Sequence, residues 1–245
     1  MPLAPISTLP RRVAGRARRK LVAGREWLAT RGYRRQLGSL AAGKSLEYRE
    51  YLETQLARSV GRRANDPGVG QRILVGAALA AAAPGASVLC VGCRNGLELD
   101  AFRDGGLGDV RGIDIFSQRP DIEVMDMHAM TFPDATFDVV YSSHSLEHSH
   151  DLARVAAELV RVAKPGAVLA VEVPVRHKGS AADVVVFQGI DDLERVFSPH
   201  LGEVVLREEE PPHSARNEQG SDIARLVARL SGERSAELSL ASRRE

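Results

Sequence analysis

The chain has 245 residues, 44% of them hydrophobic and 27% charged, the composition of a soluble globular domain with room for an extension. No apolar run reaches the roughly 18 residues of a membrane span; the longest, residues 73–86, is interrupted by Gly76, Pro84 and Gly85. A net charge of +1 hides an asymmetry, because residues 1–72 hold 16 Lys and Arg against 5 Asp and Glu, while residues 73–245 hold 17 against 27.

Residues 1–44 read as a basic arm rich in Pro, Gly and Arg, with one short helix from about Val13 to Thr30. The arm has no apolar core of a secretory signal, so a cytoplasmic location is expected. Its charge suits either a solvated segment or peripheral attachment to an anionic membrane. Ser45 can cap the next helix, over residues 45–63, in which Tyr48, Leu52, Leu56 and Val60 recur on one face. Residues 65–68 break the chain, and an apolar helix follows over 69–83 until Pro84-Gly85.

From Ser87 onward short apolar strands alternate with helices. Strands are expected at 87–92, 110–116, 121–127, 137–143, 167–175 and 202–209, and helices at 97–106, 151–163 and 190–200. In the clearest helix Leu152, Val155, Ala156, Leu159 and Val160 share one face, Asp151 is the cap and Lys164-Pro165-Gly166 the stop. Residues 222–230 fit a helix or a final strand. The pattern predicts an α/β fold, a Rossmann-like and mostly parallel sheet with helices on both faces. Three segments follow: an extension over 1–66 with an amphipathic helix that could act as a lid, a main domain over 67–233 and a disordered tail over 234–245.

Two features point to a nucleoside-bearing ligand. The first strand runs into Gly92-Cys93-Arg94-Asn95-Gly96 and then a helix, a bend at the carboxyl edge where open α/β sheets bind ligands. Asp114 ends the next strand, where its carboxylate can accept hydrogen bonds from ribose hydroxyls. Cys90 and Cys93 have the spacing of a redox pair or half a zinc site, but no second pair exists. They read as packing residues in a reducing compartment, and no metal is expected.

Asp126, the stretch Phe132 to Asp138, Ser142-Ser143, Leu146-Glu147-His148 and Lys164-Pro165-Gly166 occur in the order and spacing of a known family. Residues 87–174 thereby resemble the class I S-adenosylmethionine-dependent methyltransferases that act on small molecules, of the type 11 kind. The resemblance implies S-adenosyl-L-methionine as cofactor and a final antiparallel strand over 222–230. Gly92, Cys93, Asn95 and Gly96 would line the methionine moiety, Asp114 and Ile115 would hold the ribose, and Asp126 with Met127 would face the adenine. Ser143 and His144 would sit near the sulfonium and acceptor.

This chain departs from the family at Cys90, where an acidic residue is usual, and at Arg94, where a second glycine is usual, so the bend should differ. Only Ser117-Gln118-Arg119-Pro120 separates the second and third strands, leaving no room for the usual helix and predicting a flatter, more open adenine pocket. In the helix over 45–63, Tyr48 and Tyr51 would contact the cofactor if it closes as a lid.

Methyl transfer to a hydroxyl requires proton removal, for which a histidine is suited near neutral pH. His144 and His148 are the candidate bases, and Glu172 on the fifth strand could instead be buried and paired. The expected function is O-methylation of a small molecule or glycan. No Asp/Asn-Pro-Pro-aromatic stretch follows the fourth strand, which argues against nucleic-acid bases as acceptors. The alternatives are a catalytically silent scaffold, an RNA methyltransferase guided by the arm and an NAD-dependent dehydrogenase, the last fitting poorly after Asp126.

Overall fold

The computed structural model describes residues 32, 34–61, 69–117, 119–180, 182–217 and 219–231, except the side chains of residues 56, 59–61 and 69. The helix expected at 13–30, most of the basic arm and the tail at 234–245 lie outside these residues.

Helix α1 (Leu46–Gly61) and helix α2 (Val69–Ala81) precede the sheet. Then come β1 (Val88–Val91), α3 (Leu97–Asp104), β2 (Val110–Asp114), β3 (Ile122–Val124), β4 (Phe137–Ser143), α4 (Leu152–Val162), β5 (Ala163–Val175), α5 (Ile190–Phe197), β6 (Leu201–Glu210) and β7 (Asp222–Leu230). The seven strands run in the order β3-β2-β1-β4-β5-β7-β6. The first five are parallel, and β7 lies antiparallel to both β5 and β6. Residues 222–230 therefore resolve as a strand.

Alternate residues of each central strand feed opposite faces, as the period of two requires. Leu89, Val91, Val140, Leu169 and Val171 pack on the α4 and α5 side with Val155, Leu159, Leu193 and Phe197. Val88, Cys90, Val139, Tyr141 and Ala170 pack on the other side with Leu74, Ala78, Leu99 and Phe102. Helix α4 starts as expected, with the Asp151 carboxylate accepting from the Arg154 backbone N–H, and ends at Val162. The two thiols are free and buried, in agreement with a packing role.

Strand order reverses at β1, with β2 on one flank and β4 on the other. That is the topological switch point, where the carboxyl ends of the strands open a crevice. The described residues of the short link between β2 and β3 carry no helix. Residues 34–40 cover it instead: Gln36 exchanges hydrogen bonds with the Ser117 backbone at 2.6 and 3.1 Å, and Leu37 packs on Phe116. The N-terminal extension thus packs on the link between β2 and β3.

Candidate active site

A cavity of about 940 Å³ lies at this crevice, lined from the ends of β1, β2, β4 and β5 and roofed by α1. The size suits a ligand of nucleoside class with part of a second molecule. Its lining includes Gly92, Asn95, Asp114, Ile115, Met127, Ser143, His144 and His148. The sequence had singled out each of them.

The bend is built around two left-handed glycines, Gly92 at φ 76° and Gly96 at φ 68°, a conformation glycine adopts without strain. A side chain at Gly92 would also collide with Ser145, whose Cβ would lie 2.4 Å away. Arg94 avoids the left-handed region, and its backbone N–H donates to Asp114 Oδ2 at 2.9 Å. The Phe116 N–H donates to Asp114 Oδ1 at 2.9 Å. Each oxygen keeps lone-pair capacity for a hydroxyl. Burial raises the Asp114 pKa to about 6, against these two hydrogen bonds.

Three candidate residues do not line the cavity. The Cys93 side chain turns into the core, where it is 1% exposed and its thiol faces the Ile113 carbonyl. Gly96 is covered by the Arg119 guanidinium, which donates to the Asn95 and Gly96 carbonyls and pairs with Asp100 and Asp121. Asp126 does not offer its carboxylate to the crevice. Its Oδ2 accepts from the Tyr48 hydroxyl at 2.7 Å and its Oδ1 from the backbone N–H and ring of His128 at 2.9 and 2.8 Å. Burial alone would raise its pKa, but hydrogen bonds from His128 and Tyr48 hold it at about 2. Met125, Met127, Ile115 and Tyr51 supply that end of the wall instead.

Helix α1 crosses the cavity and is tied at both ends. Tyr48 holds it to Asp126, Gln55 donates to the Ala182 carbonyl at 2.8 Å, and Arg58 reaches Asp183 at 3.4 Å and His148 Nδ1 at 2.6 Å. Of the two tyrosines, Tyr51 lines the cavity and Tyr48 serves the latch.

The polar end holds an alternating charge chain. His144, itself left-handed at φ 52°, sits with Nε2 3.2 Å from Glu172 and Nδ1 3.6 Å from Glu147. Glu172 accepts from Arg225, and Arg225 also donates to Glu208 at 2.8 Å. Burial disfavours an imidazolium, but the two carboxylates prevail and raise the His144 pKa to about 10. The raised pKa favours the imidazolium form of His144. Burial, aided by Arg58 and opposed by Glu147, lowers the His148 pKa. Glu147 is 1% exposed, and its Oε2 is buried with no hydrogen-bond partner.

Sequence reasoning missed Arg58, Asp183, Arg225 and Glu98. Glu98 lines the cavity two residues after Gly96, 6% exposed. The crossing of α1 and the pairing of β5 with β7 place Arg58 and Arg225 here.

Residues 89–171 match a family model described as a methyltransferase domain. The chain is 40% identical over 102 residues to the 2-methyl-6-phytyl-1,4-hydroquinone methyltransferase of Synechocystis sp., a match covering 36% of this chain and 32% of that protein. It is 37% identical over 101 residues to the demethylmenaquinone methyltransferase of Renibacterium salmoninarum, covering 37% and 42%. The matched stretches thus span less than half of either relative's length. Among solved structures, the 1,6-didemethyltoxoflavin-N1-methyltransferase of Burkholderia thailandensis superposes with a TM-score of 0.56 at 14% identity, covering 94% of both chains. At that identity the likeness is one of fold.

Proposed function

We propose that this chain, which belongs to the class I S-adenosylmethionine-dependent methyltransferases, methylates a hydroxyl of a polar small molecule or glycan. The observation that carries the reading is the two-ended cavity. One end has the chemistry of an adenosyl ligand, with the Asp114 carboxylate for ribose hydroxyls, Ile115, Met125 and Met127 for a flat base, and Arg94 and Glu98 for an amino-acid group. The orphaned Glu98 Oε2 is a site in want of a cationic partner. The other end carries the polar side chains of Gln55, Arg58, His148, His177, Asp183 and Gln219, beside Pro174 and Ile223. Such a wall suits an acceptor with several hydroxyls.

S-adenosylmethionine supplies a methyl group already activated on a sulfonium, so the chain needs only to orient the acceptor and take its proton. The acceptor O–H proton would pass to the Glu147–His148 pair, whose Oε1 and Nε2 are 3.5 Å apart, as the acceptor oxygen takes the methyl group and the S–CH₃ electron pair stays on the sulfur. Glu147 Oε2 is the unpartnered acceptor that can meet the hydroxyl. His144, held as a cation, favours negative charge developing on the acceptor oxygen.

A second reading comes from the relatives, whose names specify quinol-type acceptors. The polar wall disfavours a prenylated acceptor here. Calorimetry with S-adenosylhomocysteine, followed by transfer of labelled methyl from S-adenosylmethionine to panels of sugars, phenols and prenylated quinols, tests both. Label on sugar or phenol oxygen is expected. Label on a quinol ring carbon alone would favour the second reading, and a wild type that binds no S-adenosylhomocysteine would remove the enzyme. Cofactor binding without transfer to any panel would leave a binding module. Peripheral contact of residues 1–44 with anionic lipid is a separate proposal, tested by vesicle flotation with and without that segment.

A further inference from the structure

We propose that Glu98 captures the α-ammonium group of the bound cofactor's methionine end and so selects nucleosides carrying an amino acid. The proposal rests on the reading of the cavity as an S-adenosylmethionine site.

Glu98 lies in the first turn of α3, on the cavity wall next to Arg94 and Asn95. Its side chain is buried, and Oε2 has no hydrogen-bond partner. A buried carboxylate oxygen without a partner is destabilising, a penalty that Leu or Met at the same position would avoid. A fold keeps such a group where something else completes it. The charged groups around it are Asp114 of β2, Asp100 of α3 and Arg119 of the β2–β3 link, with the neutral thiols of Cys90 and Cys93 beneath. Arg119 already holds bidentate pairs with Asp100 and Asp121, so no protein cation completes Glu98 among the described residues. Burial raises its pKa to about 7. An arriving ammonium would restore the carboxylate, and Arg94 on the same wall matches the ligand's own carboxylate. Strand β1 brings Cys90, not an acid, to this place, so the negative charge comes from the helix.

The rival account is structural. The Tyr141 hydroxyl is also buried without a partner and feels the Glu98 charge, so a trapped water could join the two and Glu98 would serve only packing.

The test is calorimetry at pH 7 with three probes: S-adenosylhomocysteine, its analogue with hydrogen in place of the α-amino group, and 5′-methylthioadenosine. The wild type is expected to bind S-adenosylhomocysteine roughly ten- to a hundredfold tighter than the des-amino analogue. Binding should release about half a proton, read by repeating it in buffers of different ionisation enthalpy. Glu98→Gln should erase both effects while leaving 5′-methylthioadenosine affinity unchanged. Equal wild-type affinity for the amino and des-amino ligands, without proton release, overturns the role of Glu98 alone. Equal loss of all three ligands in Glu98→Gln also overturns it, as a structural role. A wild type that binds none of them overturns it together with the reading of the cavity. The wild-type measurements stand even if the variant does not fold.

Discussion

Glu172 on β5 and Arg225 on β7 face each other directly across the antiparallel pair, and both side chains are fully buried. Arg225 Nε donates to Glu172 Oε2 at 2.5 Å, and Ser143 Oγ donates to Glu172 Oε1 at 3.0 Å. The pair is the anchor of the polar end of the cavity, because the same Glu172 oxygen that meets Ser143 also holds His144. Removing Arg225 takes away the fully buried counter-charge of Glu172 and leaves it with Ser143 and His144, at up to about 3–5 kcal/mol. Arg225→Met is expected to lose stability of that order in urea unfolding, and to lose more than the double variant Glu172→Met with Arg225→Met, which removes both charges.

Gly70 of α2 exists where it does for the same pair. A Cβ there would lie 2.5 Å from Arg225 Nη2 and 2.7 Å from Glu172 Oε2. Gly70→Ala would normally favour a helix, but here it should destabilise by roughly 1–3 kcal/mol through overpacking. Gly76→Ala, in the same helix with nothing within 4 Å, is the control and should be neutral or stabilising. Equal midpoints for the two variants would contradict this packing.

His144 should titrate far above an ordinary histidine. Its pKa rises from 6.5 to about 10 between the carboxylates of Glu147 and Glu172. The stabilisation this gives is complete below the unfolded value of 6.5 and is lost as pH climbs through about 10. Glu147 and Glu172 are lowered from 4.5, so theirs is complete above that value and is lost as pH falls through their folded pKa values. Ring-proton NMR should show His144 still protonated at pH 8, and Glu172→Gln should shift its titration toward neutrality. A wild-type midpoint near 6.5 would contradict the assignment.

How much of this was legible beforehand follows the range of the signals. The alternation of strands and helices, the bend at Gly92 and the strand-end Asp114 are local patterns, and the sequence predicts them correctly. Asp126 and Cys93 were assigned by analogy to ligand contacts, but their side-chain directions depend on partners far along the chain. Tyr48 lies 78 residues before Asp126, and nothing near Asp126 announces it. The covering of the β2–β3 link by Gln36 and Leu37 is of the same kind. The charge on His144 is not legible locally, because a histidine's charge is set by what surrounds it, and Glu147 and Glu172 converge on it only after β4 and β5 pair. Glu98 carries no motif at all; its buried, unpartnered oxygen is visible only in three dimensions.

Glu147 provides the sharpest test of proton removal. Replacement by Gln preserves shape and removes the basic oxygen. If the hydroxyl proton passes to Glu147–His148, Glu147→Gln should lower kcat by about two orders of magnitude or more. Affinity for S-adenosylhomocysteine should stay within a few-fold. Turnover close to wild type on an oxygen acceptor would place the proton elsewhere.

Helix α1 gives the last test, because its two anchors are unequal. At one end Gln55 and Arg58 make several contacts with Ala182, Asp183 and His148, while at the other Tyr48 bears most of the attachment to Asp126. Tyr48→Phe keeps the ring, which packs edge-on against His128 and His150, and deletes only the hydroxyl. A hydrogen bond to a charged acceptor is worth roughly 1.5–3 kcal/mol. Amides at the start of α1 should therefore exchange with deuterium at least tenfold faster, with little change near residue 58. Asp126 loses one of the donors that hold its pKa near 2, so that pKa should rise. If α1 acts as the roof of the cavity, S-adenosylhomocysteine should also leave faster from Tyr48→Phe while its association rate changes little. Unchanged exchange in α1 would mean that packing, and not this hydroxyl, seats the helix.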